Sequence, residues 1–469
     1  MKDDQITALD ATALANAIRT KRVTSRQALE AFVRRNARLG SRLNCVVVFD
    51  LENARKRADE LDAKLRRGEI VGPLHGVPMT VKENNDVQGL VTTVGFEENI
   101  GRVASSDETM IERMKNAGVV IWGKTNLPVG AMDIQSYNAI YGSTSNPWDL
   151  ERTPGGSSGG GACAVAASIS PIELGGDVGG SIRTPAAFCG IYGHKPTWGL
   201  VPKTGPHLEL REKEISVRGP LSKSARDLAM IMDIIGGPTS DAMSLHLPRP
   251  SKTSLSEYRV AVWADDPMCR VDDDIREAAT NLAWTLRSRG VHVSFTARPD
   301  FDLTHNVETY KRLTAANSAL KGETNGVTLE QYRLAQEAQG RIREAWGRFF
   351  RSYDVLIVPS HCTPAFKKDE SPKAGRTLDM VVDGKNTTMP YWRALFWALL
   401  TNVGLLPSTT FPCGLGKRTN LPIGLNVVGP EWSDFITIDF ARLLAEECGC
   451  VFRSPSIMGG MMMNSSSKL

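Results

Sequence analysis

The residues best suited to chemistry in this chain are serines and a lysine set among glycines. Ser181 closes the run Gly175-Gly176-Asp177-Val178-Gly179-Gly180-Ser181, which continues Ile182-Arg183-Thr184-Pro185. Two adjacent glycines before a serine let the backbone approach a reacting carbonyl and turn several N–H groups one way, as stabilising an oxyanion requires. On this segment alone, an ordinary glycine turn with an incidental serine reads at least as well. A nucleophilic serine needs a base, and the histidine near these segments is His194, in Gly193-His194-Lys195-Pro196. A lysine serves instead where burial disfavours its ammonium form. Lys82 ends the apolar stretch Val77-Pro78-Met79-Thr80-Val81. A charged lysine held there unpaired costs several kcal/mol, which invites a functional reading. The plain alternative is a strand-end lysine reaching solvent.

Two other motif matches fail on physical grounds. Gly118-Val119-Val120-Ile121-Trp122-Gly123-Lys124-Thr125 fits the phosphate-loop pattern. A phosphate cradle needs small residues whose N–H groups turn inward after a strand, whereas these four middle residues are bulky and β-prone. They predict a buried strand. Gly155-Gly156-Ser157-Ser158-Gly159 fits the nucleophile elbow of α/β-hydrolases. The elbow requires an apolar strand running into the serine, but Glu151-Arg152-Thr153-Pro154 precedes it, polar and with a proline. The tract is not a plain linker either, because Gly161 to Ser168 continues as a small-residue helix that places its serines by N-terminal backbone donors.

The elements that must hold these residues follow from periodicity. Helices are expected over Ala11–Arg19, Ser25–Leu39, Leu51–Arg67, Asp107–Ala117, Ser222–Ile235, Asp272–Arg289, Asn306–Ala319, Leu329–Phe350, Trp392–Asn402 and Phe435–Glu447. Strands are expected at 44–49, 79–81, 119–122, 259–263, 291–295, 354–358 and 423–428. Such alternation predicts an α/β fold with a largely covered sheet. We expect an N-terminal helical region (1–70), a core (71–240), a more variable insert lining the substrate pocket (241–350), a C-terminal part of the core (351–456) and a tail (457–469).

Composition narrows the function. The chain has 469 residues, 41% hydrophobic and 23% charged, with 56 basic against 52 acidic residues and a net charge of +4. That is ordinary globular composition, without the electrostatic footprint of nucleic-acid or anionic-membrane binding. Eight scattered cysteines form no zinc-finger or disulfide-scaffold pattern and suit a reducing compartment. No apolar run reaches the ~18 residues of a membrane span. The ending Ser467-Lys468-Leu469 matches a peroxisomal address. A cytoplasmic location is expected, or a peroxisomal one if that tripeptide is read.

Taken in order, the pieces resemble the amidase signature family of serine amidohydrolases. They are Gly76-Val77-Pro78-Met79-Thr80-Val81-Lys82-Glu83, Gly123-Lys124-Thr125-Asn126, Asn146-Pro147-Trp148-Asp149, Gly155 to Gly161, Gly175 to Pro185 and Gly193-His194-Lys195-Pro196-Thr197. Tyr353-Asp354-Val355-Leu356 with Pro359, and Leu421 to Gly429, extend the likeness. Glu83, His194 and Asn426 depart from the family's usual Asp, Leu and Gln. The resemblance implies the amidase-signature fold, a large mixed sheet covered by helices on both faces. It also implies a Ser–cis-Ser–Lys triad: Ser181 as nucleophile, Ser157 as bridging serine after a cis Gly156–Ser157 peptide, and Lys82 as base. Backbone N–H groups of Val178, Gly179, Gly180 and Ser181 would form the oxyanion hole, with Ser158, Asp177 and Arg183 in support.

The expected function is cleavage of a small-molecule carboxylic amide, with ester or carbamate side activity, through an acyl-serine. No metal or cofactor and no nucleic-acid partner are expected, and a homodimer is an open option. The alternative within the resemblance is the glutamine-hydrolysing subunit of a tRNA-dependent amidotransferase. The near-neutral charge and lack of a basic tail count against it. Outside the resemblance stand a P-loop nucleotide-binding protein and a Ser-His-Asp esterase using Ser157. Segments 127–145 and 300–350 and the aromatic-rich Tyr391–Trp397 are expected to build the acyl pocket, though Trp392, Phe396 and Trp397 suit a helix core as well.

Overall fold

The computed structural model describes residues 1–203, 214–239, 244–319 and 326–455. The expected tail and the Ser467-Lys468-Leu469 tripeptide lie outside them.

The N-terminal third makes helices at Ala11–Arg19, Ser25–Leu43 and Leu51–Arg66, because their apolar residues recur at helical spacing and Asp10 and Thr24 cap the first two. These helices cover a three-stranded sheet of β1 (Val46–Phe49), β2 (Pro78–Lys82) and β3 (Val120–Thr125), ordered β1-β3-β2. β2 and β3 run parallel, and both are buried throughout. The phosphate-loop match is thus strand. Lys124 lies in β3, its ammonium donating to Val91 O and Thr92 Oγ1 at 2.6 and 2.8 Å.

After the two-residue strands β4 (Tyr137–Asn138) and β5 (Gly142–Ser143) comes the large sheet. Its first strands are β6 (Ile172–Asp177), β7 (Tyr192–Lys195), β8 (Val217–Ser222), β9 (Arg259–Val262), β10 (His292–Ser294) and β11 (Val355–Pro359). A separate hairpin, β12 (Thr377–Val382) and β13 (Lys385–Pro390), stands outside it. The sheet is completed by β14 (Ser408–Leu415) and β15 (Pro422–Val428). Its order is β10-β9-β11-β15-β14-β7-β8-β6, with β9 parallel to β10 and β11 and every other pair antiparallel. Helices cover both faces. On β7, Gly193 lies under Ala186 and Ile182 at the helix Arg183–Cys189, while the adjacent His194 points to Asp434 at the start of the helix Asp434–Cys448.

One expectation is corrected. The helix expected over Trp392–Asn402 begins as a 3₁₀ turn, Tyr391–Leu395, and becomes α-helical only over Phe396–Val403. Phe396 and Trp397 are core residues, with Trp397 edge-on to Trp263 at 5.6 Å, and Trp392 is exposed at the surface. Among the described residues no helix is long and apolar enough to cross a membrane, and no cluster of three His, Cys, Asp or Glu could hold a metal ion.

Candidate active site

β2 runs beside β6, joined by Thr80 Oγ1 donating to Glu173 Oε2 at 2.6 Å and Asn85 Nδ2 donating to Leu174 O at 3.1 Å. Lys82, the last residue of β2, is thereby aimed at the start of the helix Gly159–Ala166. It is 1% exposed. Its amine lies 2.6 Å from Ser157 Oγ and 3.1 Å from Ser158 Oγ, and among the described residues it joins no ion pair. Burial, reinforced by the positive charge of Arg218, brings its pKa down to about 7 from an ordinary 10.5. The neighbouring carboxyl of Glu173 is pushed up to about 8 by burial. Burial thus disfavours the charged form of both groups.

Ser157 follows a cis Gly156–Ser157 peptide. The turn has no room for a side chain at 156, where a Cβ would lie 2.3 Å from Gln135 O and 2.5 Å from Asp133 O. Asp133 anchors this wall. Its carboxylate accepts from Tyr391 Oη at 2.5 Å and pairs with the buried Arg376 at 3.2 Å. Ser158 sits at the N-terminus of the following helix, as expected. Its hydroxyl makes no cap; it takes the second hydrogen bond from Lys82 and lies 3.4 Å from Gly176 O. Ser158 N–H donates to Ser181 O at 3.2 Å, which ties the two serine segments together.

Around Ser181, Asp177 and Arg183 form a fully buried pair at 2.8 Å. Burial alone would raise the Asp177 carboxyl. The Arg183 guanidinium, the positive charge of Lys195 and the Gly180 N–H at 2.9 Å hold it well below the usual range instead, and Ile182 N–H also donates to it at 3.2 Å. Arg183 also donates to Ala398 O, Thr401 Oγ1 and Asn402 Oδ1. This corrects the expected oxyanion set. Gly180 N–H is spent on Asp177, whereas those of Val178, Gly179 and Ser181 have no partner among the described residues.

The structure thus brings Lys82, Ser157, Ser158, Ser181, Asp177 and Arg183 into one site. Lys82 and Ser157 are hydrogen-bonded, but no hydrogen bond joins Ser157 Oγ to Ser181 Oγ. Such contacts often tighten only with substrate in place. His194 is elsewhere, with both ring nitrogens engaged by Thr409 and Asp434 in a fully buried cluster, so it cannot serve Ser157.

The Amidase family model matches residues 27–328 and 309–438. The chain belongs to the amidase family. It is accordingly an enzyme of the hydrolase class that acts on carbon–nitrogen bonds other than peptide bonds. A glutamyl-tRNA(Gln) amidotransferase subunit from Lachnospira eligens is 30% identical, covering 90% of this chain and 95% of that one. The subunit of the same name from Deinococcus deserti is 31% identical over 92% and 95%. Among solved structures, a 6-aminohexanoate cyclic dimer hydrolase superposes with a TM-score of 0.81 at 25% identity, covering 97% and 99%.

Several residues at this amidase site carry no mark in the sequence. Asp133, Gln135 and Arg376 hold the wall behind Gly156, and Arg218 faces Gly176 across the β6–β8 pair. Tyr310 brings its hydroxyl over Gly179. Only the broad pocket segments 127–145 and 300–350 contain any of them.

Proposed function

We propose that this enzyme hydrolyses a carboxylic amide through an acyl-serine on Ser181, and that the amide is the side-chain amide of glutamine, with ammonia passed on to a partner subunit. The observation that carries the chemistry is the buried, unpaired Lys82 amine 2.6 Å from Ser157 Oγ. As Ser181 Oγ attacks the carbonyl, its proton passes to Ser157, whose own proton passes to Lys82. The N–H groups of Val178, Gly179 and Ser181 receive the oxyanion, each donor being worth roughly 3–4 kcal/mol of transition-state stabilisation. The C–N bond then breaks, the nitrogen takes the proton back through Ser157, and water releases the acid.

Glutamine is favoured by the relatives that match this chain over 95% of their own length and are named as amidotransferase subunits. That outweighs the near-neutral charge. A second reading, a free-standing amidohydrolase for apolar amides, is favoured by the lining of the site. Val178 packs on the buried cluster Ile215, Leu313, Ala335 and Leu405, and the nearby Arg183 guanidinium is already fully hydrogen-bonded. The test is ammonia release from glutamine by the chain alone and with partner subunits and tRNA, beside aliphatic amides, anilides and carbamates. Glutamine turnover that needs the partners supports the first reading. Partner-independent turnover of apolar amides, with none of glutamine, replaces it with the second.

A further inference from the structure

The helix Leu303–Ala319 belongs to the part of the chain least like the sequence motifs, yet it reaches the reacting segment. A Cβ placed on Gly179 would lie 2.7 Å from Tyr310 Oη and 3.9 Å from Leu395. The Tyr310 ring packs with Val178 on the apolar cluster of Ile215, Leu313, Ala335 and Leu405. Its hydroxyl has no hydrogen-bond partner among the described residues. A tyrosine packed in this way usually satisfies its O–H. Among the described residues the cluster beside Val178 is therefore mostly apolar, and the Tyr310 hydroxyl is the polar group it brings to Gly179.

We propose that Tyr310 is a specificity-determining residue whose hydroxyl donates a hydrogen bond to an acceptor atom on the acyl part of the substrate, close to the scissile carbonyl. This rests on Ser181 being the nucleophile. The phenol is suited to donate, because burial, with the charge of Asp177, holds it protonated far above neutral pH. The substrate class that fits is a carboxamide whose acyl chain carries an acceptor oxygen, as glutamine does in its carboxylate. A purely hydrocarbon acyl group would leave the hydroxyl unpaired, at a cost that biases binding against it.

The test uses the full chain and two serine-directed fluorophosphonates, one with a plain alkyl group and one in which the CH₂ nearest but one to phosphorus is replaced by oxygen. The rate of labelling and the labelled peptide are measured for the wild type and Tyr310→Phe, with Ser181→Ala as control. We expect both probes on Ser181, the oxygen-bearing probe slowed roughly three- to ten-fold in Tyr310→Phe, and the alkyl probe unchanged or faster. Equal slowing of both probes, or of neither, overturns the specificity role while leaving Ser181 as nucleophile. Labelling of any other residue removes the underlying reading and this assignment with it.

Discussion

Burial without a carboxylate partner weakens the hold of a lysine amine on its proton, and Lys82 is in that position. Its pKa near 7 makes a directional prediction. The group must be uncharged to accept a proton, so kcat/KM should rise with pH through about 7 and level off above it. Lys82→Met keeps the volume and removes the base, and should lower kcat by roughly 10²–10⁴ with folding intact by circular dichroism. Turnover that survives nearly unchanged contradicts the assignment. Arg218 supplies a second check. A neighbouring positive charge disfavours the ammonium form, so removing it in Arg218→Met should raise the Lys82 pKa and move the acidic limb to higher pH. A limb that stays or moves down refutes that electrostatic link. At this scale the sequence is informative where chemistry is local: Lys82, Ser157 and Ser181 stand out by type against apolar or glycine surroundings. Asp133, Arg218 and Tyr310 do not, because each acts on a segment distant in the chain, and nothing beside them marks that contact.

Among the elements, helices are the legible part, since amphipathic spacing and caps are written within one stretch of chain. The strands around the site are harder. β7 reads Tyr-Gly-His-Lys, and β8 and β14 each contain a proline. Both faces of these strands are buried, so no period of two appears, and proline and glycine argue against strand. β14 carries its proline at a register shift, between Pro412 and Leu415. Glycine placement gives the element-scale prediction. Gly156→Ala pushes a Cβ to within 2.5 Å of backbone atoms of Asp133 and Gln135. It should cost at least ~1–3 kcal/mol in urea denaturation and displace Ser157 from Lys82, with loss of activity. Gly340→Ala, in the helix Leu329–Phe349, meets nothing within 4 Å. It should instead add ~0.5–1 kcal/mol. If the two substitutions behave alike, the close approach at Gly156 is not what fixes that residue.

Across the whole molecule, the motif-rich segment and the C-terminal segment share one sheet and the buried hydrogen-bond network around Arg183. β14 pairs with β7 through Ser408–Lys195 and Thr410–Gly193, and β15 and β11 continue the sheet beyond it. Arg183, beside Ser181, sends hydrogen bonds to Ala398 O, Thr401 and Asn402. The Asp434 carboxylate, at the head of the last helix, accepts from Thr197 N–H and lies 3.0 Å from the His194 ring. A fragment of residues 1–239 holds every residue of the proposed triad and oxyanion hole, yet it would expose β7 as an unpaired edge and leave Arg183 with Asp177 alone of its four partners. Breaking buried ionic networks in this way typically costs ~3–5 kcal/mol, comparable with the net stability of many domains. The fragment should therefore lack near-UV circular dichroism and fail to react with a serine-directed phosphonate. Adding residues 244–455 as a second chain should restore both signals. A fragment that folds and labels on its own would mean that the C-terminal half trims specificity and does not build the site.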